Sequence, residues 1–297
     1  MMAPEIGRIG TWTPSSIWEN AGDRDEAIAE LEELGFGAVW LGSPRGDLEL
    51  PGTLLGASGR LAVVPAIVNI WKYPAADVAA AYHGIEPQRK ERLLVGLGSS
   101  HRPQVEAAGI RYDKPVTRLE QYLDELDALP ETISPGDRIL AALGPRALRL
   151  AAARSAGAHP YLVTPEHTRA AREIVSPDAL LAPEQKVVVE TDPATARAKA
   201  RPTLDIYFSL PNYTNNLRRL GFTDADFVEG GSDRLVDAIV AWGDPEQILA
   251  RVAKHHAAGA DHVSIQVLTG GQRTDKPLPR EEWRAIGEAL DTAGSPA

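Results

Sequence analysis

What most restricts this chain is a unit that recurs along it: an amphipathic helix, a glycine, then a short apolar run. The first copy opens at Asp23-Arg24-Asp25-Glu26, where Asp23 is placed to cap a helix and Glu26 stands at the capping-box position. Ala27, Ile28, Leu31 and Leu34 follow at helical spacing, Gly35 reads as a left-handed stop, and Ala38-Val39-Trp40-Leu41 reads as a strand. The stretch 146–156 repeats the pattern, with Gly157 as the stop and Pro160-Tyr161-Leu162-Val163 as the strand. A third copy opens at Asp244-Pro245-Glu246-Gln247, with a cap and a proline at the first helical position. It stops at Gly259 and continues into His262-Val263-Ser264-Ile265-Gln266-Val267. Apolar runs at 6–12, 61–68, 93–97, 138–143 and 186–190 bring the strand candidates to eight.

Strands that alternate with helices form parallel sheets buried on both faces, and such strands read as continuous apolar runs, as several of these do. Eight of them predict an α/β fold of the closed (β/α)8 TIM-barrel type rather than an open doubly wound sheet. A chain of 297 residues suits one such domain spanning 1–297. The segment 205–242 breaks the rhythm. It follows the seventh strand, is too long for a simple βα connection, and carries Tyr207, Phe208, Asn212, Tyr213, Asn215 and Asn216. As an insertion after strand 7 it reads as a substrate lid or wall, with Asn212 and Tyr213 lining the outer pocket.

Composition removes several function classes. The chain has no cysteine, which excludes disulfides, thiolate catalysis and cysteine metal sites. With no apolar run long enough to span a bilayer and no leader-like start, a cytoplasmic protein without membrane contact is expected. A net charge of −10 argues against nucleic acid as a partner. His255 and His256 are adjacent on a helix and face different ways, so they lack the spacing of a zinc pair, and no metal is expected. No Gly-x-Ser-x-Gly elbow is present.

Barrel active sites are drawn from the C-terminal ends of the strands. After the fourth strand, Val95-Gly96-Leu97-Gly98-Ser99-Ser100-His101 has His101 where a dinucleotide fingerprint needs its third glycine. It reads instead as a tight turn that brings Gly98 and Ser99 close to a ligand, with His101 as a candidate acid or base or, alternatively, a cap. After the fifth strand, Leu143-Gly144-Pro145-Arg146 opens a helix, whose free amides together with Arg146 suit a phosphate; an ordinary helix start with a solvated arginine is the other reading. At the exit of the third strand stand Asn69 and Trp71, where barrel sites draw residues, Asn69 for the cofactor or substrate and Trp71 for the substrate, although a core strand followed by a packed tryptophan is the stronger reading of the residues alone. Trp12, ending the first strand, is placed either to stack on a ring or to plug the barrel top.

Taken in order, Gly7-Arg8-Ile9-Gly10-Thr11-Trp12, Gly35-Phe36-Gly37-Ala38-Val39-Trp40-Leu41, Gly96 to His101, Leu140 to Arg146 and Ala258 to Gln266 resemble the luciferase-like monooxygenase superfamily. More narrowly, they are similar to its actinobacterial branch assigned to the deazaflavin coenzyme F420. The resemblance implies an oxidoreductase that passes hydride between the deazaflavin C5 and an organic substrate. FMN-dependent monooxygenation on the same barrel is the alternative, and a non-catalytic cofactor-binding paralogue is a third. It places the ring at the strand C-termini, the phosphate at Leu143, Gly144, Pro145 and Arg146, and the closing wall at Val163 and Thr164. It also implies a non-prolyl cis peptide in the third strand, at Pro65–Ala66, behind the ring, and a possible homodimer through helices after the second and third strands, where Leu54, Leu55, Val78 and Tyr82 would otherwise be ordinary core. Two family positions depart: some deazaflavin enzymes carry an acidic or histidine residue after the second strand, where this chain reads Leu41-Gly42-Ser43-Pro44, and Ser99 stands where sugar-phosphate dehydrogenases of the family have glutamate. His101 is left as the catalytic candidate.

Overall fold

In the computed structural model, which describes residues 3–270 and 276–292, parallel strands alternate with helices along the chain. The first part runs β1 (Ile9–Pro14), α1 (Ser15–Asn20), α2 (Arg24–Glu33), β2 (Ala38–Gly42), α3 (Glu49–Gly56), β3 (Ala62–Pro65), β4 (Val68–Asn69), α4 (Ala75–His83) and α5 (Pro87–Lys90). The middle runs β5 (Val95–Gly98), α6 (Arg102–Ala107), α7 (Pro115–Asp127), β6 (Arg138–Ala141), α8 (Pro145–Arg154), β7 (Gly157–His159), α9 (Pro165–Ile174), β8 (Leu180–Leu181) and β9 (Glu184–Val189). The last part runs α10 (Pro193–Phe208), α11 (Pro211–Arg219), α12 (Asp233–Ile239), β10 (Val240–Gly243), α13 (Pro245–Ala257), β11 (Val263–Val267) and α14 (Arg280–Thr292).

The strands lie in the orders β10-β9-β11-β1-β2-β3 and β4-β5-β6-β7-β8, all parallel. Two seams join these sheets. At one, β3 runs on into β4, and the Val63 and Leu94 amides donate to Arg92 and Val63 carbonyls at 2.9 and 3.2 Å. At the other, β8 runs on into β9, while the Ala182 and Glu184 amides donate to Ala158 and Pro160 carbonyls at 2.9 and 2.8 Å. Eight staves therefore form the TIM barrel: β1, β2, β3 with β4, β5, β6, β7, β8 with β9, and β11. β10 is an addition, paired with the far end of β9 from Val240↔Lys186 to Gly243↔Val189.

Local chemistry explains most of the element ends. Gly35 adopts φ +83°, which lets Phe36 donate back to the Leu31 carbonyl and close α2. Asp244 and Gln247 cap each other reciprocally at the start of α13. Asp23 makes no such cap; its carboxylate is taken by Arg280 of α14, whose hydrogen bond holds it below the usual aspartate range. The sixth stave is Gly157–His159 rather than 160–163. Pro160 has no amide with which to extend the ladder, so Tyr161, Leu162 and Val163 become the loop above it. The seventh stave begins at Leu180, ahead of the apolar run at 186–190.

The extra material after strand 7 is helical. Residue 205 lies inside α10 and 242 inside β10, so the true excursion is α10, α11, α12 and β10 together. It carries its own apolar cluster, including Leu204, Tyr207, Phe208, Tyr213, Leu217 and Leu235. Between barrel and outer helices lies the main core, in which Leu54, Leu55, Val78 and Tyr82 are buried; these four residues pack inward. Inside the barrel, Ala38, Ala62, Val64, Leu94, Ile139 and Ala182 surround Trp40. Trp40 stacks on His159 at 4.3 Å and donates from Nε1 to His262 Nε2 at 2.9 Å. Since His262 accepts there, its Nδ1 donates to the Gly7 carbonyl at 2.8 Å, which fixes the neutral tautomer. Burial pushes His262 down to about 3 and His159 to about 4.

Candidate active site at the barrel mouth

The C-terminal mouth is built from strand ends of two kinds. Over β1, β2, β9 and β11, large and charged side chains line it, and a small cavity beside Trp12 and Gln266 remains. Trp12 lies across the end of β2, where a Cβ at position 42 would stand 2.2 Å from its Cη2, so Gly42 is what lets the indole lie there. The family acid at the exit of the second strand is thus replaced by the plane of Trp12. On β9, Glu184 and Lys186 point into the barrel with side chains 0% exposed and pair at 2.9 Å. Lys186 Nζ also donates to Gln266 Oε1 on β11 at 3.1 Å, and Tyr161 donates to the same oxygen at 2.6 Å. The Tyr161 and Tyr207 hydroxyls are 2.7 Å apart, and the ammonium lies 3.8 Å from the Tyr161 ring centroid. Glu184 Oε2 accepts from the Leu162 amide at 3.1 Å, which fixes the loop above the sixth stave. A buried ion pair persists only when its remaining donors and acceptors are satisfied, and this one is met from β11 and from the loop above the sixth stave.

Over β4 to β7 the mouth is lower and half-buried. Its floor is Ile67, Gly98 and Ala141: a Cβ on Gly98 would stand 2.8 Å from Ile67 Cγ1 and 3.0 Å from Ala141 Cβ. Ser99, His101, Leu143, Gly144 and Tyr161 rise around it, each partly open to solvent. The cis peptide of the third strand is Ala66–Ile67, one residue beyond the expected Pro65–Ala66. Register explains the difference: Pro65 still pairs with Leu41, and the Ala66 amide still donates to the Leu41 carbonyl at 2.7 Å, so the chain turns only after Ala66.

The other candidates divide. His101 precedes α6 but makes no side-chain cap; its ring faces Tyr213 of α11 at 5.3 Å. Tyr213 in turn packs against the Tyr161 and Tyr207 rings at 6.0 and 5.2 Å. Asn69 holds the Trp71 amide with its Oδ1 at 2.9 Å, and Trp71 packs on Tyr112, whose hydroxyl donates to the Ser100 carbonyl at 3.4 Å. Asn212 is exposed. Val163 is buried, and Thr164 caps α9 by accepting from the His167 amide. Gly144 precedes α8 with no side-chain cap, which leaves the first amides of that helix available for an anion. Arg146 does not serve this end: it turns to the flank, toward Glu120 of α7 at 2.7 Å and Thr117 at 3.0 Å, because its position on α8 faces α7. His167 braces the turn from below, donating from Nε2 to the Leu143 carbonyl at 3.0 Å; burial lowers its pKa, with Arg219 nearby adding to the effect.

Reading the sequence missed Glu184, Lys186, Gln266, Tyr161 and Tyr207 as site residues. The available signal was charge: Glu184 and Lys186 interrupt an otherwise apolar stave. Among the described residues no group of three or more His, Asp or Glu is placed to hold a metal ion, and no helix is long and apolar enough to cross a membrane.

Solved structures share this architecture. An F420-dependent secondary alcohol dehydrogenase, in complex with an F420–acetone adduct, superposes with a TM-score of 0.71 at 15% identity, covering 96% of this chain and 98% of that one. The coenzyme F420-dependent tetrahydromethanopterin reductase from Methanopyrus kandleri gives 0.77 at 13% identity, covering 97% and 99%. The oxygenating constituent of 3,6-diketocamphane monooxygenase from Pseudomonas putida, in complex with FMN, gives 0.62 at 12% identity, covering 94% and 96%. No curated protein matches the sequence significantly. The luciferase-like monooxygenase profile matches residues 7–262, across the staves and the mouth just described, and the chain belongs to that family.

Proposed function

We propose that this chain is an F420-dependent oxidoreductase that moves hydride between the deazaflavin C5 and an organic substrate. The observation that carries the reading is the asymmetric mouth: a half-buried floor of small side chains, bordered at one end by the uncapped start of α8. A flat ring joined by a short chain to a phosphate matches both parts. Ile67, Gly98 and Ala141 would lie beneath the ring, Ser99 and Leu143 at its edge, and the first amides of α8 at the phosphate. When bound, the cofactor supplies or accepts the hydride, and the protein's part is to bind, orient and exclude water.

With Gly42 and Ser99 at the family acid positions, proton transfer falls to His101, whose Nε2 lies 3.5 Å from the Tyr213 hydroxyl under α11. Tyr213 and the ring of Tyr161 would screen that proton from bulk water. The test is a parallel absorbance or fluorescence titration of the purified protein with F420 and with FMN. Tighter binding of F420 supports the reading. Tighter binding of FMN together with oxygen consumption would move the chain to monooxygenation, the chemistry named for the FMN-bound neighbour. His101→Ala is expected to retain cofactor affinity while hydride transfer falls by about 10²–10⁴-fold. Unchanged transfer would remove His101 from the mechanism.

A further inference from the structure

One stripe of α11 spans the mouth from the candidate proton donor to the start of α8. Tyr213 sits at its first turn, over His101 and Tyr161. Asn216 follows one turn on; it is 3% exposed, and its Nδ2 makes no hydrogen bond among the described residues. Arg219 follows after another turn, with Nη1 3.8 Å from where a Cβ on Gly144 would stand. Positions three apart are neighbours on a helix, so the three form a row that winds about 120° around α11, from buried Tyr213 and Asn216 to exposed Arg219, and six residues of helix rise about 9 Å, comparable to the span of a short polyol between a ring and a phosphate.

The neighbouring arginine gives a contrast. Arg218 is committed to Asp224 at 2.6 Å and to Asn215 and Thr214. Arg219 has no acidic partner among the described residues, although it lies at a surface dense in Arg–Asp pairs. An unpaired buried amide donor is costly, so Asn216 in this position points to an acceptor from outside the chain. His167, 5% exposed, has a second polar atom of this kind at the same turn: its Nδ1 is buried and makes no hydrogen bond.

We propose that α11 clamps the polar tail of the cofactor, with Arg219 pairing the phosphate at the start of α8 and Asn216 donating from Nδ2 to the chain that joins phosphate and ring. The side-chain charge for the phosphate then comes from the excursion after strand 7, and Arg146 is a bystander. This rests on the cofactor reading above and adds to it the residues that recognise the tail.

The experiment is a set of equilibrium titrations with matched pairs: FMN against riboflavin, and F420 against its phosphate-free deazariboflavin core. In the wild-type protein the phosphorylated member of the pair that binds is expected to bind at least tenfold tighter. Arg219→Gln should abolish that gap while leaving the phosphate-free affinity within about twofold, and should flatten the salt dependence of binding. Asn216→Leu should weaken both members of the pair. Arg146→Gln should leave the gap intact. A gap that survives Arg219→Gln, or that Arg146→Gln removes, overturns the proposal while the cofactor reading stands. Binding of neither pair by the wild-type protein overturns both together.

Discussion

The two halves of the barrel mouth have the same backbone plan and opposite contents. Over β1, β2, β9 and β11, Lys186 bonds to Glu184 and Gln266 and Trp12 packs on Tyr161, and below them Trp40, His159 and His262 continue the packed region into the barrel. Over β4 to β7 stand Gly98, Ala141 and Leu143, the first buried and the other two partly exposed. The first half holds matched polar groups and the second holds smaller, partly exposed ones.

The largest test of the first half is pH. His159 and His262 in the lumen, and His255 beside the seventh stave, are held by burial at about 4, 3 and 3, against an ordinary value of 6.5. Each is neutral in the folded chain and protonates readily only when unfolded. The stability tied to each is therefore fully present above pH 6.5 and is lost as pH falls toward the folded values. Between pH 6.5 and pH 5 this amounts to about 2 kcal/mol per histidine, a large share of the stability of a typical domain. Urea midpoints measured across that range should fall steeply, and His262→Gln should flatten the slope. A flat profile would mean that these imidazoles are not held neutral.

Next in size is the ion pair. Lys186→Met leaves Glu184 buried and without its ammonium, and should cost about 3–5 kcal/mol in urea unfolding. Adding Glu184→Leu should recover a good part of that loss. If the single variant costs under about 1 kcal/mol, water reaches this half of the mouth and the contrast between the halves weakens. Smaller again is Gly42→Asp, which restores an acid at the position where relatives of the family have one. The new Cβ meets the Trp12 indole, so a cost of about 1–3 kcal/mol and a shift in tryptophan fluorescence are expected. A variant of wild-type stability would show that Trp12 swings away freely.

Much of this plan was legible in the sequence because it rests on local chemistry. The stops at Gly35 and Gly259 and the box at Asp244 and Gln247 act within a few residues, and they fixed the order of staves and helices. The sixth stave was misplaced by three residues because Gly157 reads as a helix stop yet pairs with Leu180 across the sheet, a contact that no local pattern carries. Of the candidate site, the backbone features at Gly98, Gly144 and the turn before His101 were legible because they are local. That Arg146 turns to Glu120 of α7 was not, because which neighbour a helix position faces is a tertiary outcome. Lys186, Gln266, Tyr161 and Tyr207 come from four separate segments, and only the fold brings them to one point.

The smallest effect on folding, and the sharpest on the contrast, is expected in the second half. Ala141 is half-buried at the end of β6, with its Cβ at the floor beside Gly98. Ala141 is partly exposed, so for Ala141→Leu a stability change within about 0.5 kcal/mol is expected. On the proposed reading the same side chain would stand where the ring lies, and cofactor affinity should fall at least about tenfold, equivalent to about 1.4 kcal/mol. The comparison that matters is between the two readouts of one variant. Loss of affinity without loss of stability marks the floor as a binding surface that the fold does not need. Loss of stability with unchanged affinity would place the floor in the core and send the ring elsewhere on the mouth.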